Sequence, residues 1–163
     1  MPNHCYNKLS IFGKEEDLKK VQDFVKDDGE KVPFSCEKVI PFPHKEWKVQ
    51  PGYTEHGYAW AIGAWGTKWG AYDFEDGTGE IVDSCYEDGR VLVYEFYSAW
   101  SPPTPVIKKL SEMFPTLLFE LYSEESGVGY LGESVFQAGE SVSDIVLDGK
   151  NLPSEIRRNL RGG

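Results

Sequence analysis

Residues 90–122, RVLVYEFYSAWSPPTPVIKKLSEMFPTLLFELY, predict a strand, a helix and a second strand in succession. Every second residue from 92 to 96 is large and apolar, which is the spacing of side chains on one face of a strand. Residues 91 and 93 make the opposite face apolar as well. A strand that is apolar on both faces is covered on both, so we expect residues 90–100 to form a central strand.

The helix of this unit begins at the prolines of SPPTP. Proline suits the first turn of a helix, and either Ser101 or Thr104 is placed to cap it. Apolar residues recur at i, i+1, i+4, i+7 and i+8 across 106–114, which gives the helix one apolar face. Pro115 ends the helix, and residues 116–122 return to an apolar, strand-like pattern.

The flanking sequence extends this unit into one domain, residues 1–163. Further strands are predicted at 6–12, 34–40, 79–86, 127–136 and, as an edge, 145–147, with a helix over 14–27 and a helical turn near the end. Residues 41–72 read as a long loop inserted into this order, with one short helix at most, and residues 141–163 as an extension. The order predicts an α+β fold, a mainly antiparallel sheet with two helices on one face.

The insertion contains four of the five tryptophans, and two of these, Trp65 and Trp69, are candidate ligand residues close to Lys68. Trp65 and Trp69 flank Gly66-Thr67-Lys68, which lacks the first glycine of a nucleotide-binding P-loop and so does not predict one. Two alternatives stay open. Either both indoles pack and anchor the insertion, or a pocket encloses a nucleotide or another flat anion. The pocket hypothesis uses Trp65, Lys68, Trp69, Trp100 and Ser101.

Several segments together resemble the YubB-type family of ferredoxin-like domain proteins. They are MPNHCYNKLSIFG at the start, WGTKWGAYDF, YEFYSAWSPPTPV, LSEMFPTLLFELYSEESGVGYLG and FQAGE, and they span residues 1 to about 140. The resemblance implies a ferredoxin-like fold, a plasmid or phage origin and a bacterial cytoplasmic setting. It implies no catalytic residues and no cofactor, because the family has no established function.

Composition excludes several classes of protein. With 40% hydrophobic and 14% aromatic residues, the chain can build a core and is not a disordered protein. It contains no apolar run long enough for a membrane helix, and its first residues lack the pattern of a secretory signal. Three widely spaced cysteines predict neither a disulfide framework nor a metal site. We therefore expect a cytoplasmic protein without membrane contact or bound metal.

Charge is distributed unevenly along the chain, whose net charge is −10. Residues 1–72 are balanced, whereas residues 73–148 carry sixteen acidic side chains against three basic ones. This excess argues against direct nucleic-acid binding, which needs a basic surface. It favours a host protein with a basic surface as partner, such as a nucleic-acid-handling or defence enzyme that the chain would inhibit. The predicted partner-binding residues are Glu75, Asp76, Asp83, Glu87 and Asp88.

The acidic centre also allows a third hypothesis, a hydrolase with a pair of carboxylates, although binding without catalysis is favoured. Glu95 lies mid-strand on the side of the valines, so we expect it to be half-buried with a cationic partner, and Lys68 is the candidate. The closing RGG resembles the end of ubiquitin-like modifiers, but the order of elements does not fit their fold, and a flexible end explains it. The sequence gives no oligomeric state.

Overall fold

The computed structural model describes residues 3–29, 32–49, 52–84, 89–127 and 129–148. Its main strands are β1 (His4–Gly13), β4 (Glu80–Asp83), β5 (Arg90–Ala99), β6 (Leu118–Glu125), β7 (Tyr130–Gln137) and β8 (Glu140–Asp148). Two short strands, β2 (Lys48–Val49) and β3 (Gly52–Tyr53), pair with each other. The helices are α1 (Glu15–Val25), α2 (Cys36–Val39), a 3-10 turn (Lys45–Trp47), α3 (Glu55–Trp65) and α4 (Thr104–Met113).

The six main strands form one antiparallel sheet in the order β4-β5-β1-β6-β7-β8. Strand β1 is central, and Leu9 pairs with Tyr94 of β5 on one side and with Leu121 of β6 on the other. The first four strands of this order, with α1 and α4, reproduce the split β-α-β unit of ferredoxin-like folds. This confirms the predicted α+β sheet, and β5, α4 and β6 lie where residues 90–122 predict them.

One face of the sheet packs against the helices and forms the core. Alternate residues of β1, β5 and β6 point into it, and Leu9, Ile11, Leu92, Phe96 and Phe119 are fully buried. The apolar faces of α1 and α4 close the core from the other side. Within the described residues, no helix is long and apolar enough to cross a bilayer.

The predicted second strand at residues 34–40 is wrong. The segment forms α2, a single helical turn whose buried residues Cys36 and Val39 are three apart and share one face toward the core. A short apolar run fits a buried helix as well as a strand. The positions beside β1 are already taken by β5 and β6, so the sheet has no place for this segment next to its central strand.

Three further boundaries differ from expectation. Strand β6 extends past the predicted 116–122 and includes residues 123–125. The edge strand predicted at 145–147 is longer, because β8 pairs with β7 over Glu140–Asp148. The insertion, predicted to be mostly loop, contains the β2–β3 hairpin and the eleven-residue helix α3. The Thr54 side chain caps α3 by accepting a hydrogen bond from the Gly57 backbone, and Gly66 ends it in the left-handed conformation at φ 76°. A Cβ on Gly66 would also lie 2.8 Å from Pro105. Both the left-handed backbone and this close contact therefore require glycine at position 66.

Candidate functional site

Trp65, expected as a wall of a ligand pocket, lies in the core. It is 1% exposed, packs against Phe42 and Trp60, and donates a 2.9 Å hydrogen bond from Nε1 to the backbone carbonyl of Ile40. A side chain buried in this way cannot touch a ligand that enters from solvent. Of the two hypotheses for this residue, its placement agrees with the one in which it anchors the insertion.

Lys68 and Trp69 lie together on the surface beside a cleft of about 500 Å³. The ammonium Nζ of Lys68 is 5.3 Å from the ring centre of Tyr58 and 5.9 Å from that of Trp69. Such a position gives a cation–π interaction with both rings. Trp69 lines the cleft, so the structure joins two of the five predicted ligand residues at one surface.

The other walls of the cleft come from residues that the sequence did not single out. They are Gly52 and Tyr53 of β3, Tyr58 of α3, and the segment Gly70, Ala71 and Tyr72. The hairpin and the start of α3 bring these aromatic rings toward the segment after Gly66. In the sequence only two residues indicate this arrangement, a threonine that caps the start of α3 and a glycine that ends the helix.

Trp100 and Ser101 are held by other contacts. Trp100 is 49% exposed, adopts a positive φ of 73° at the end of β5, and donates its backbone N–H to the carbonyl of Asn3. The Ser101 hydroxyl donates to the carbonyl of Gly66 and ties this loop to the end of α3. Neither residue lines the cleft. The predicted capping of α4 by Ser101 or Thr104 is also wrong, because its N-cap is Pro103, without a side-chain hydrogen bond.

The expected ion pair between Glu95 and Lys68 is not formed. Glu95 is half-buried, as predicted, but its carboxylate accepts a 2.5 Å hydrogen bond from the hydroxyl of Tyr6. Lys68 lies instead over the rings of Tyr58 and Trp69. The residue paired with Glu95 across the two strands is Lys8 of β1, so the sheet itself places a cation opposite this carboxylate.

The predicted partner-binding acids lie near strand β4, as far as the structure describes them. Glu75 and Asp76 are exposed, and the Glu75 backbone N–H bonds to the carbonyl of Glu95 at the margin of β5. Asp83 ends β4 and forms a 2.7 Å ion pair with Arg90. Glu87 and Asp88 lie outside the described residues.

The face of the sheet opposite the core helices gathers further carboxylates, and we call it the open face. Because side chains alternate along a strand, the register assigns to this face a set with one cation and five acids: Lys8, Glu80, Glu95, Glu120, Glu124 and Glu133. Glu80 and Glu133 are exposed, whereas Glu124 is buried. The hydroxyl of Tyr122 donates to Glu124 at 2.7 Å.

A shallow hollow of about 150 Å³ on the open face contains two of these acids. Glu120 and Glu133 lie diagonally across the β6–β7 pair, beside Lys8, Ser10 and Tyr122. Partial burial, and then the charge of Glu133, raise the pKa of Glu120. Glu120 therefore holds its proton more readily than a free glutamate. In the described part of the chain, no group of three His, Cys, Asp or Glu side chains could hold a metal ion.

Comparison with known proteins supports the fold and gives the family. The chain is similar in structure to the protein api92 from Yersinia pseudotuberculosis, with a TM-score of 0.61 and 11% sequence identity over 90% of this chain and 98% of that one. At this identity the likeness shows the fold alone. No curated protein matches the chain significantly. Residues 64–158, more than half of the chain, match the family model described as the ferredoxin-like domain in Api92-like protein. The chain therefore belongs to the family of proteins that contain this ferredoxin-like domain.

Proposed function

We propose that this protein acts by binding and that its open face docks onto a basic surface of a partner protein that handles nucleic acid. The observation that supports the proposal is the distribution of carboxylates over the sheet. Strands β4, β5, β6 and β7 each contribute at least one glutamate to the same face, and Lys8 of β1 is the cation among them.

The register spreads these glutamates across the face. Glu95 and Glu133 lie in one row of paired residues, with Lys8 and Tyr122 between them, and Glu80 and Glu120 lie in the next row, with Val93 and Ser10 between them. Because neighbouring strands lie about 4.8 Å apart, the two acids of each row are about 14 Å apart. Several acids on one face produce a field that attracts a basic surface and speeds its association. Enzymes that bind nucleic acid expose basic grooves that contact phosphates. An acidic sheet face could therefore occupy such a groove in place of the nucleic acid.

The acids predicted from the sequence extend this set at the β4 margin. Glu75 and Asp76 are exposed next to Glu95, so they can contact the same partner. Asp83 contributes less net charge, because Arg90 lies 2.7 Å away and compensates it. The docking surface of the proposal is therefore the open face together with Glu75 and Asp76.

The resemblance to YubB-type proteins of plasmids and phages leads us to propose that this protein is encoded by a mobile element. A mobile element gains from a protein that blocks a host defence or replication enzyme. We therefore propose that the basic partner is such an enzyme and that binding inhibits it. The inhibitory role rests on the resemblance and on charge complementarity together.

A charge-matched pair of variants tests the docking surface. Glu80→Lys with Glu133→Lys reverses two exposed acids of the open face, whereas Glu46→Lys with Glu55→Lys reverses two exposed acids of the insertion. Both variants change the net charge from −10 by the same amount. The probe is a fluorescent nona-arginine peptide, and the readout is anisotropy at several salt concentrations. We expect the open-face variant to bind about fivefold more weakly or worse, since exposed charge pairs contribute about 0.2–1 kcal/mol each and reversal adds repulsion.

The control variant should bind the peptide within about twofold of the unmodified protein. Equal weakening of both variants would mean that total charge alone attracts the peptide, and the docking surface would be abandoned. The inhibitory role has its own test. Partners captured from a bacterial lysate are assayed for nucleic-acid binding with and without the protein, and a partner that keeps its full activity would refute inhibition.

A further inference from the structure

The cleft beside α3 is independent of the acidic docking surface and has the composition of a small-molecule site. Its volume of about 500 Å³ falls within the range of typical ligand pockets. Four aromatic side chains line it, those of Tyr53, Tyr58, Trp69 and Tyr72. Gly52 lets the Tyr58 hydroxyl approach the hairpin, where a Cβ would lie 2.6 Å from it, and a Cβ on Gly70 would meet nothing within 4 Å.

The rings form a continuous row rather than a closed cage. The ring centres of Tyr53 and Tyr58 are 5.3 Å apart, those of Tyr58 and Trp69 are 6.4 Å apart, and those of Trp69 and Tyr72 are 6.2 Å apart. All four of these residues are half-buried, so each keeps part of its surface accessible. Flat ligands bind to such rows by stacking on one ring and contacting the edge of the next.

Two of the tyrosines are fixed by hydrogen bonds at their hydroxyl groups. Tyr72 hydrogen-bonds to Nδ1 of His4, and Tyr53 to the backbone of Gly70. Burial, and then the nearby charge of Glu37, raise the pKa of Tyr53 to about 12. Burial and the adjacent Asp73 raise the pKa of Tyr72 to about 12 as well. Both phenols are therefore neutral at physiological pH and do not repel an anion.

Lys68 does not line the cleft itself but provides a positive charge beside it. Its ammonium lies over Tyr58 and Trp69, and within the described part of the chain no carboxylate comes within ion-pair distance of it. The lining residues all fall between 52 and 72, inside the charge-balanced part of the sequence. An anion that binds here therefore meets a cation that no described carboxylate neutralises, while Glu37 and Asp73 act on the tyrosines of the cleft from its margins.

We propose that this cleft binds a planar aromatic anion of the size of a nucleoside monophosphate. The ring of the ligand stacks on Trp69 and makes an edge contact with Tyr58, and its anionic group pairs with Lys68. Glu37 and Asp73, whose charges act on Tyr53 and Tyr72, disfavour ligands with several negative charges. The site therefore prefers a monophosphate to a triphosphate.

Binding is tested with four probes: adenosine monophosphate, adenosine, inorganic phosphate and adenosine triphosphate. Quenching of tryptophan fluorescence and ligand-detected NMR give the affinities. We expect adenosine monophosphate to bind, adenosine and the triphosphate to bind about tenfold more weakly, and phosphate alone not to quench. No binding of the monophosphate at millimolar concentration would overturn the proposal, and so would equal affinity for adenosine, which would remove the role of Lys68.

Matched variants locate the site. Lys68→Met and Trp69→Ala should each weaken binding of adenosine monophosphate about tenfold or more. Lys45→Met and Trp100→Ala remove an exposed lysine and an exposed tryptophan away from the cleft and should leave the affinity unchanged. If Trp69→Ala does not fold, Lys68→Met and the NMR readout still decide the question. Unchanged affinity in Lys68→Met would refute the proposal.

This inference does not depend on the acidic docking surface, and the two fail separately. The Glu80→Lys, Glu133→Lys variant should lose affinity for nona-arginine and keep its affinity for adenosine monophosphate. Loss of monophosphate binding in that variant would mean that the ligand lies on the sheet and not in the cleft.

Discussion

Replacing Gly57 by alanine tests how α3 is seated against the aromatic insertion. A Cβ at this position would lie 2.7 Å from the carbonyl oxygen of Trp47 and 2.9 Å from the Cβ of Tyr53. Neither atom is the end of a flexible side chain, so backbone has to move, and overpacking of this kind costs about 1–3 kcal/mol. Alanine also favours the helix by up to about 1 kcal/mol relative to glycine. The net effect on the free energy of unfolding is a loss of up to about 2 kcal/mol.

Gly63 provides a matched control on the same helix. A Cβ there meets nothing within 4 Å, so Gly63→Ala gains helix propensity without a clash. We expect Gly63→Ala to raise the free energy of unfolding by about 0.5–1 kcal/mol. The two alanine variants should therefore differ by about 1–3 kcal/mol, although they make the same chemical change.

Urea denaturation followed by far-UV circular dichroism measures this difference. For a chain of this length the same difference shifts the melting temperature by about 2–12 °C. The two variants should show similar dependence on urea, because the surface exposed on unfolding is nearly the same. Equal stabilisation by both substitutions would refute the packing of α3 against the 3-10 turn and β3, and with it the geometry of the cleft.

Three further predictions concern the core, the open face and the cysteines. Tyr94→Phe should leave the free energy of unfolding unchanged or raise it, because the buried Tyr94 hydroxyl has no hydrogen-bond partner in the described structure. Tyr6→Phe breaks the hydrogen bond to the carboxylate of Glu95 in β5 and should cost about 1 kcal/mol. Chemical denaturation compares the two variants, and a larger loss of stability in Tyr94→Phe would contradict the packing. Trp65→Phe should lower the free energy of unfolding by about 1–3 kcal/mol, since its hydrogen bond is lost and the partly buried carbonyl of Ile40 loses its donor. A cost below about 0.5 kcal/mol would show that the indole is not held in the core. Burial raises the pKa of Cys5 and Cys36 to about 12, so both should resist iodoacetamide at pH 9 in the native protein and react in urea, as read by mass spectrometry. The folded state keeps these thiol protons, whereas the unfolded chain releases them above pH 9. The contribution of both cysteines to the free energy of unfolding is therefore fully present below pH 9 and falls as the pH rises toward 12. A free energy of unfolding that increases over this range would contradict their burial.

The sequence predicted the strand–helix–strand unit well because its signals are local and agree with one another. Alternation marks β5, proline marks the start of α4, and its apolar face has helical spacing. The segment at 34–40 failed for the opposite reason. Its short apolar run allows either a helix or a strand, and only the occupied neighbours of β1 exclude the strand.

The candidate sites were harder to predict because they depend on contacts between distant segments. Trp65 and Trp69 look alike in the sequence, yet one is enclosed by Phe42 and Trp60 and the other lies on the surface. Helix α3 has apolar residues on most of its sides, so it shows little helical periodicity. Composition predicted an excess of acids in residues 73–148, but which of these acids share one face of the sheet required the register of the strands.

The central position of β1 has a consequence for how the chain folds. The residues that pair with Leu9 are residues 94 and 121, which lie far along the chain. Forming the middle of the sheet therefore requires the closure of two long loops. Such non-local pairing slows folding, and local hairpins such as β6–β7 can form first. During synthesis on the ribosome, β1 therefore emerges early and stays unpaired until most of the domain has followed. A nascent chain stalled before β6 would expose this apolar strand, and chaperones that bind extended apolar segments would be expected to hold it until β5 and β6 arrive.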